Sequence, residues 1–85
     1  MTRFRVAIQI VPRRGLLDPQ GKAVSDALHS LGFETVGNVR VGRHLVLDTD
    51  ASSADDARDA ARRMCEQLLA NPVTEDFHIA TVEQA

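Results

Sequence analysis

Eighty-five residues are enough for one hydrophobic core and too few for a second, so residues 1–85 are read as a single domain. Apolar residues make up 44 % and charged residues 26 %, with one cysteine and a net charge of −2. That composition excludes an internal disulfide and a cysteine-built metal centre, and no apolar run approaches the ~18 residues of a membrane span. Three phenylalanines with neither Trp nor Tyr leave little aromatic surface for stacking bases or sugars. No charged start leads into an apolar run, so a cytoplasmic protein without a leader is expected.

The first element is a strand. From Arg3 to Val11 the chain alternates, with Phe4, Val6, Ile8 and Ile10 on one face and Arg3, Arg5, Ala7 and Gln9 on the other, until Pro12 ends it. Arg13-Arg14-Gly15 forms a basic turn. A helix follows whose two ends are both written in the sequence. Asp18 is placed to cap the first turn and Pro19 occupies the first helical position, where its missing donor costs nothing. Val24, Ala27, Leu28 and Leu31 make an apolar stripe expected to pack on a sheet. Gly32 supplies the left-handed stop, with Phe33 placed to fold back in a Schellman cap.

An extended region runs from Thr35 to about Asp48, with Val39, Val41, Leu45 and Leu47 sharing one parity and Gly37 and Gly42 marking places for a bulge, bend or turn. One continuous strand of that length would reach about 46 Å at ~3.3 Å per residue, whereas a domain of this size is roughly 30 Å across. The region therefore folds into a hairpin near Gly42, bends sharply, or enters a neighbouring molecule. A second helix begins at Ser52 or Ser53, with Asp55 and Asp56 in its first turn, and carries Ala54, Ala57, Ala61, Met64, Cys65 and Leu68 on its apolar face. Its alanines suit close packing on a flat sheet. Asn71-Pro72 stops it, and Phe77 to Val82 is a last strand. The order is β-α-β-α-β.

Chemistry is sparse. His29, His44 and His78 show no metal-ligand spacing, no serine sits in a nucleophile elbow, and Gly15 and Gly21 are too isolated to cradle a phosphate. Asp18 is accounted for as a cap and has no acid partner nearby for general-base work. Arg13 and Arg14 lie near a helix N-terminus and could hold an anion, although solvated loop charges are the simpler reading. No catalytic, cofactor-binding or metal-binding residue is assigned. The charge is uneven: residues 1–47 carry +4 and residues 48–85 carry −6. This asymmetry describes either a mixed solvated surface or complementarity between chains. The basic residues form no dense run of the kind nucleic acid requires.

Five stretches in order resemble one family: Leu17-Asp18-Pro19-Gln20-Gly21-Lys22-Ala23-Val24, Leu31-Gly32-Phe33, Val39-Arg40-Val41-Gly42-Arg43, Met64 to Val73, and Glu75-Asp76-Phe77. The chain looks like the small PurS subunit of phosphoribosylformylglycinamidine synthase. It departs where Arg43 replaces a frequent lysine and Phe77 a common tyrosine. The resemblance implies a non-catalytic subunit of a glutamine- and ATP-dependent amidotransferase of purine biosynthesis. Such a subunit bridges a glutaminase and a large synthetase and supports ammonia transfer between them. ATP and Mg²⁺ then belong to the large partner, and this chain holds no cofactor. The implied fold is α+β: ferredoxin-like two-layer halves with an antiparallel sheet, in an intertwined homodimer or tetramer that shares the long middle strand. Arg13, Arg14, Arg40, Arg43, His44, Asn71 and Pro72 are the candidate interface residues. The rival readings are a ferredoxin-like regulatory domain that binds a small molecule, with a hairpin at Gly42, and, more distantly, an acylphosphatase-type enzyme.

Overall fold

The computed structural model describes all 85 residues. Strand β1 (Thr2–Pro12) is the centre of a three-stranded antiparallel sheet, flanked by β2 (Arg43–Ala51) and β3 (Glu75–Gln84) in the order β2-β1-β3. The alternation in β1 is realised: Phe4, Val6, Ile8 and Ile10 are buried, and Arg3, Arg5 and Gln9 lie exposed on the opposite face. Its register places Val6 opposite Leu47 on one side and Val82 on the other, with a bulge against β3 between Ala7 and Ile8.

One helix closes the core. In α2 (Ala54–Met64), Ser53 is the cap, its hydroxyl accepting from the Asp56 N–H at 3.1 Å. Ala57, Ala61 and Cys65, at four-residue steps, are fully buried against the sheet. Alanine at these positions lets the helix backbone approach the pleat closely, as the sequence suggested. The stripe fails beyond Cys65. Residues Cys65–Leu69 form one π-turn, closed by the Ala70 N–H to the Cys65 carbonyl at 3.0 Å. The wider turn brings Ala70 into the core and leaves Leu68 83 % exposed, so Leu68 is not part of the buried face expected of it. Ala54 and Met64 are exposed as well.

Helix α1 (Pro19–Ser30) has the ends read from the sequence. The Asp18 carboxylate accepts from the Gly21 N–H. Gly32 has φ +99°, and the Gly32 and Phe33 N–H groups donate to the His29 and Leu28 carbonyls at 3.0 Å, the hydrogen-bond pair of a Schellman cap. Its stripe, however, does not meet the sheet. Only α2 packs across the strands, and Val24, Leu31 and Phe33 remain open to solvent. The molecule is consequently long: 52 × 25 × 14 Å, with a radius of gyration of 16.2 Å where a compact chain of this length has about 12 Å.

The middle region is neither a hairpin nor one continuous strand within this chain. After turns at residues 31–32 and 34–35, residues 36–42 have no regular secondary structure, and β2 begins only at Arg43. It also continues through Thr49, Asp50 and Ala51, beyond the expected end, because β1 starts at Thr2 and offers partners that far. Likewise β3 extends past Phe77–Val82 at both ends.

The alanine stripe fixes the spacing between helix and sheet. Ala61→Leu is expected to overpack it and cost about 1–3 kcal/mol, read as a lower urea midpoint; an unchanged midpoint would show that α2 does not pack this closely.

Candidate functional site

The charged residues of the two halves meet inside the chain. Arg3 pairs with Asp50 and Arg5 with Asp48 across β1 and β2, at 3.1 and 3.2 Å on the exposed face of the sheet. Arg13 pairs with Asp76 at 3.2 Å, and Arg43 with Glu75 at 2.9 Å. Each of these joins residues 1–47 to residues 48–85. The charge asymmetry read as complementarity between chains is thus met within one chain, by antiparallel pairing that sets the two halves side by side.

Four of the candidate interface residues converge on the turn between the π-turn and β3. The Arg43 guanidinium grips both Glu75 carboxylate oxygens, at 2.9 and 3.0 Å, and donates a further bond to the Leu69 carbonyl. Glu75 also accepts from the Asn71 N–H at 2.8 Å, and the Asn71 side chain accepts from the Val73 N–H. Arg13 donates to the Pro72 carbonyl at 2.6 Å. These donors hold the Glu75 carboxyl below the usual glutamate range, the Arg43 bond contributing most. A lysine at position 43 would supply the charge without the planar fork that fits Glu75 at two points. The tied turn presents Pro72 and the 74 %-exposed Val73 to solvent.

The remaining candidates lie elsewhere. Arg40 is half-buried and donates to the Pro12 carbonyl at 3.1 Å. Arg14 is exposed in the turn before α1. His44 is exposed on the open sheet face, in one cross-strand row with Gln9 and His78. A strand lies between the two histidines, about 10 Å by sheet spacing, and no carboxylate or cysteine completes a ligand group with them. Cys65 is buried, and burial pushes its thiol up, away from the thiolate that reactivity needs.

The largest unsatisfied feature is missing from those candidates. From Asp18 to Val41 the chain forms an arm projecting from the sheet layer, and part of its apolar surface is bare. Leu31 is 74 % exposed, Phe33 57 % and Val24 42 %, and Leu17, just before the arm, is 85 % exposed. The helical period of the sequence marked this face as apolar but could not show that the chain leaves it uncovered. A cavity of about 300 Å³ lies at the neck of the arm, lined by Arg13, Asp18, Lys22 and Arg40 among others. Its cations are engaged: Arg13 with Pro72 and Asp76, Lys22 with Asp26, Arg40 with Pro12.

Known proteins resemble this arrangement over nearly all of its length. The family model PurS, described as phosphoribosylformylglycinamidine (FGAM) synthase, matches residues 5–83. The phosphoribosylformylglycinamidine synthase subunit PurS of Bacillus subtilis is 38 % identical over 80 residues, covering 94 % of this chain and 94 % of that protein. Among solved structures, Thermus thermophilus PurS superposes with a TM-score of 0.83 at 36 % identity, covering 98 % of each chain. A chain of the PurLQS structure from Thermotoga maritima superposes with a TM-score of 0.81 at 28 % identity, over the full length of both.

The Arg43–Glu75 clasp predicts a pH dependence. A carboxyl whose folded pKa is depressed stabilises the fold above its unfolded value of about 4.3 and loses that contribution as pH falls through the folded value. Wild-type stability should therefore fall on acidification below about pH 4.3 more steeply than that of Arg43→Ala. Parallel urea-midpoint profiles for the two proteins would show that Arg43 does not set the Glu75 ionisation.

Proposed function

The chain belongs to the PurS family, and we propose from that membership that it is the non-catalytic small subunit of phosphoribosylformylglycinamidine synthase. The observation that carries this reading is the match across residues 5–83, together with full-length likeness to a chain of a PurLQS assembly. In this reading the chain joins a glutaminase and a large synthetase in the cytoplasm and helps pass ammonia between them during purine biosynthesis. ATP and Mg²⁺ are held by the large partner. The occupation of the chain's polar side chains in structural roles supports this division of labour: Asp18 caps, and Arg13, Arg43 and Glu75 fasten a turn.

Self-association is part of the proposal, and sheet width supports it. Three strands at ~4.8 Å span about 14 Å, whereas a helix with its side chains is about 10 Å across. The sheet seats α2 and has no room for α1. Both edges of the core face are incompletely covered: Leu45 and Leu47 on β2 and Phe77 and Val82 on β3 are only half-buried. A fourth strand would widen the seat to about 19 Å, enough for two helices. The arm carries both missing parts, an amphipathic helix and an irregular segment, residues 36–42, without a strand partner. We propose that each copy lends its arm to a second copy's sheet, in the intertwined dimer the resemblance implies.

Two outcomes check this reading. Glutamine-dependent amidation should require all three chains on reconstitution, and full turnover by the other two without this one would exclude the subunit role. Sedimentation should report a dimer or tetramer at micromolar concentration. Leu31→Glu, at a position open to solvent in the single chain, should shift it toward monomer without lowering helix content. A wild-type monomer would defeat the shared-arm proposal.

A further inference from the structure

Asp18 makes a second bond that capping does not require. One carboxylate oxygen accepts from the Gly21 N–H at 3.1 Å, and the other accepts from the Val41 N–H, 23 residues away, at 3.0 Å. The two residues it joins stand at the two chain crossings of the arm. The chain leaves the sheet at Pro12 and returns to it at Arg43. Beyond those crossings the outgoing and returning segments touch at Asp18 and Val41, beside the bond from Arg40 to the Pro12 carbonyl.

Above this point the returning segment lies against α1 along one line. A Cβ on Gly21 would overlap the Val39 carbonyl oxygen, so the backbones approach there as closely as glycine allows. Ser25 Oγ donates to the Gly37 carbonyl at 3.4 Å, and His29 Nε2 lies 2.7 Å from the Val36 carbonyl oxygen. Positions 18, 21, 25 and 29 follow the helical period and meet 41, 39, 37 and 36 in reverse order. The lengths agree: eleven helical residues rise about 16 Å, and five residues near full extension cover the same distance. The segment therefore runs close to straight beside the helix. This contact uses polar atoms and a glycine, and it leaves Val24, Leu31 and Phe33 facing away.

We infer that Asp18 is a neck clasp. Its carboxylate joins the two crossings and makes α1 and residues 36–41 one rigid arm, which carries the apolar face in a fixed direction from the sheet. Of the ties in the arm, only that of Asp18 is bidentate and half-buried. Ser25 contributes a single long bond and His29 an exposed one. The inference rests on the shared-arm reading for its consequence in assembly, because a fixed arm lowers the ordering cost of association. The clasp itself is a property of one chain.

The test separates cap from clasp. Serine caps a helix about as well as aspartate, but its single, shorter-reaching oxygen serves Gly21 and leaves Val41 without an acceptor. In Asp18→Ser, amide hydrogen exchange at Val41 should accelerate at least about tenfold, while Val6 and Ile8 in β1 keep their wild-type protection. The dissociation constant for self-association should rise by a similar factor. Wild-type protection at Val41 in Asp18→Ser overturns the clasp, as does loss of protection in β1 in step with Val41. Should Asp18→Ser fail to fold, Asp18→Asn is read at the same amides by the same criteria, since it keeps the side-chain shape but replaces one acceptor oxygen with a donor. A wild-type monomer would remove the shared-arm reading and leave the exchange result standing. Retained protection at Val41 in an associating protein would remove the clasp alone.

Discussion

The width of the sheet governs this molecule. A strand pair adds about 4.8 Å and a helix occupies about 10 Å, so three strands accept one helix and reject a second. Helix α2 takes that place because its contact face is alanine, which lets it lie close over Val6, Ile8 and Ile10 and seal them completely. Helix α1, bearing valine, leucine and a neighbouring phenylalanine, would stand further off and has no floor beneath it. The projecting arm, the elongated shape and the exposed apolar stripe all follow from that geometry rather than from any instruction local to α1.

The charges act within the same frame. In an antiparallel pairing of β1 with β2, a basic early strand meets an acidic later one, and Arg3 and Arg5 find Asp50 and Asp48 across the ladder. These pairs are solvent-exposed and contribute little stability each, about 0–1 kcal/mol. Their effect is on register, since a slip by one residue would turn one strand's charged face to the core and expose its buried set. The Arg43–Glu75 contact differs in kind. It is bidentate, and each partner also bonds the backbone, Arg43 to the Leu69 carbonyl and Glu75 to the Asn71 N–H, so it shapes the surface presented by residues 69–75.

What the sequence disclosed and what it withheld divide along one physical line. Signals carried by a residue and its near neighbours were legible: the alternation of β1, the Asp18 and Gly32 ends of α1, the alanine face of α2. Signals that depend on what lies opposite were not. The stripe of α1 reads the same whether a sheet covers it or water does. The π-turn at Cys65–Leu69 arises from a slipped backbone bond, which no side chain announces, and it moves Leu68 outward. Of the candidate interface residues, Arg13, Arg43, Asn71 and Pro72 do come together, but as a fastened turn. The bond from Asp18 to Val41 spans too much sequence for any local pattern to show.

That long bond bears on how such a chain avoids a wasteful fate. An amphipathic helix on a loose tether would be free to collapse onto any apolar surface, including the half-covered Leu45 and Leu47 of its own sheet. Holding α1 against residues 36–41 opposes this in two ways. The polar face of the helix is occupied by the returning segment, and Asp18 closes the neck, so the helix cannot part from that segment without breaking a charge-assisted hydrogen bond. The apolar face is then kept outward, where only another molecule can reach it. The free surface is therefore held in one direction, which lowers the ordering cost of meeting a partner.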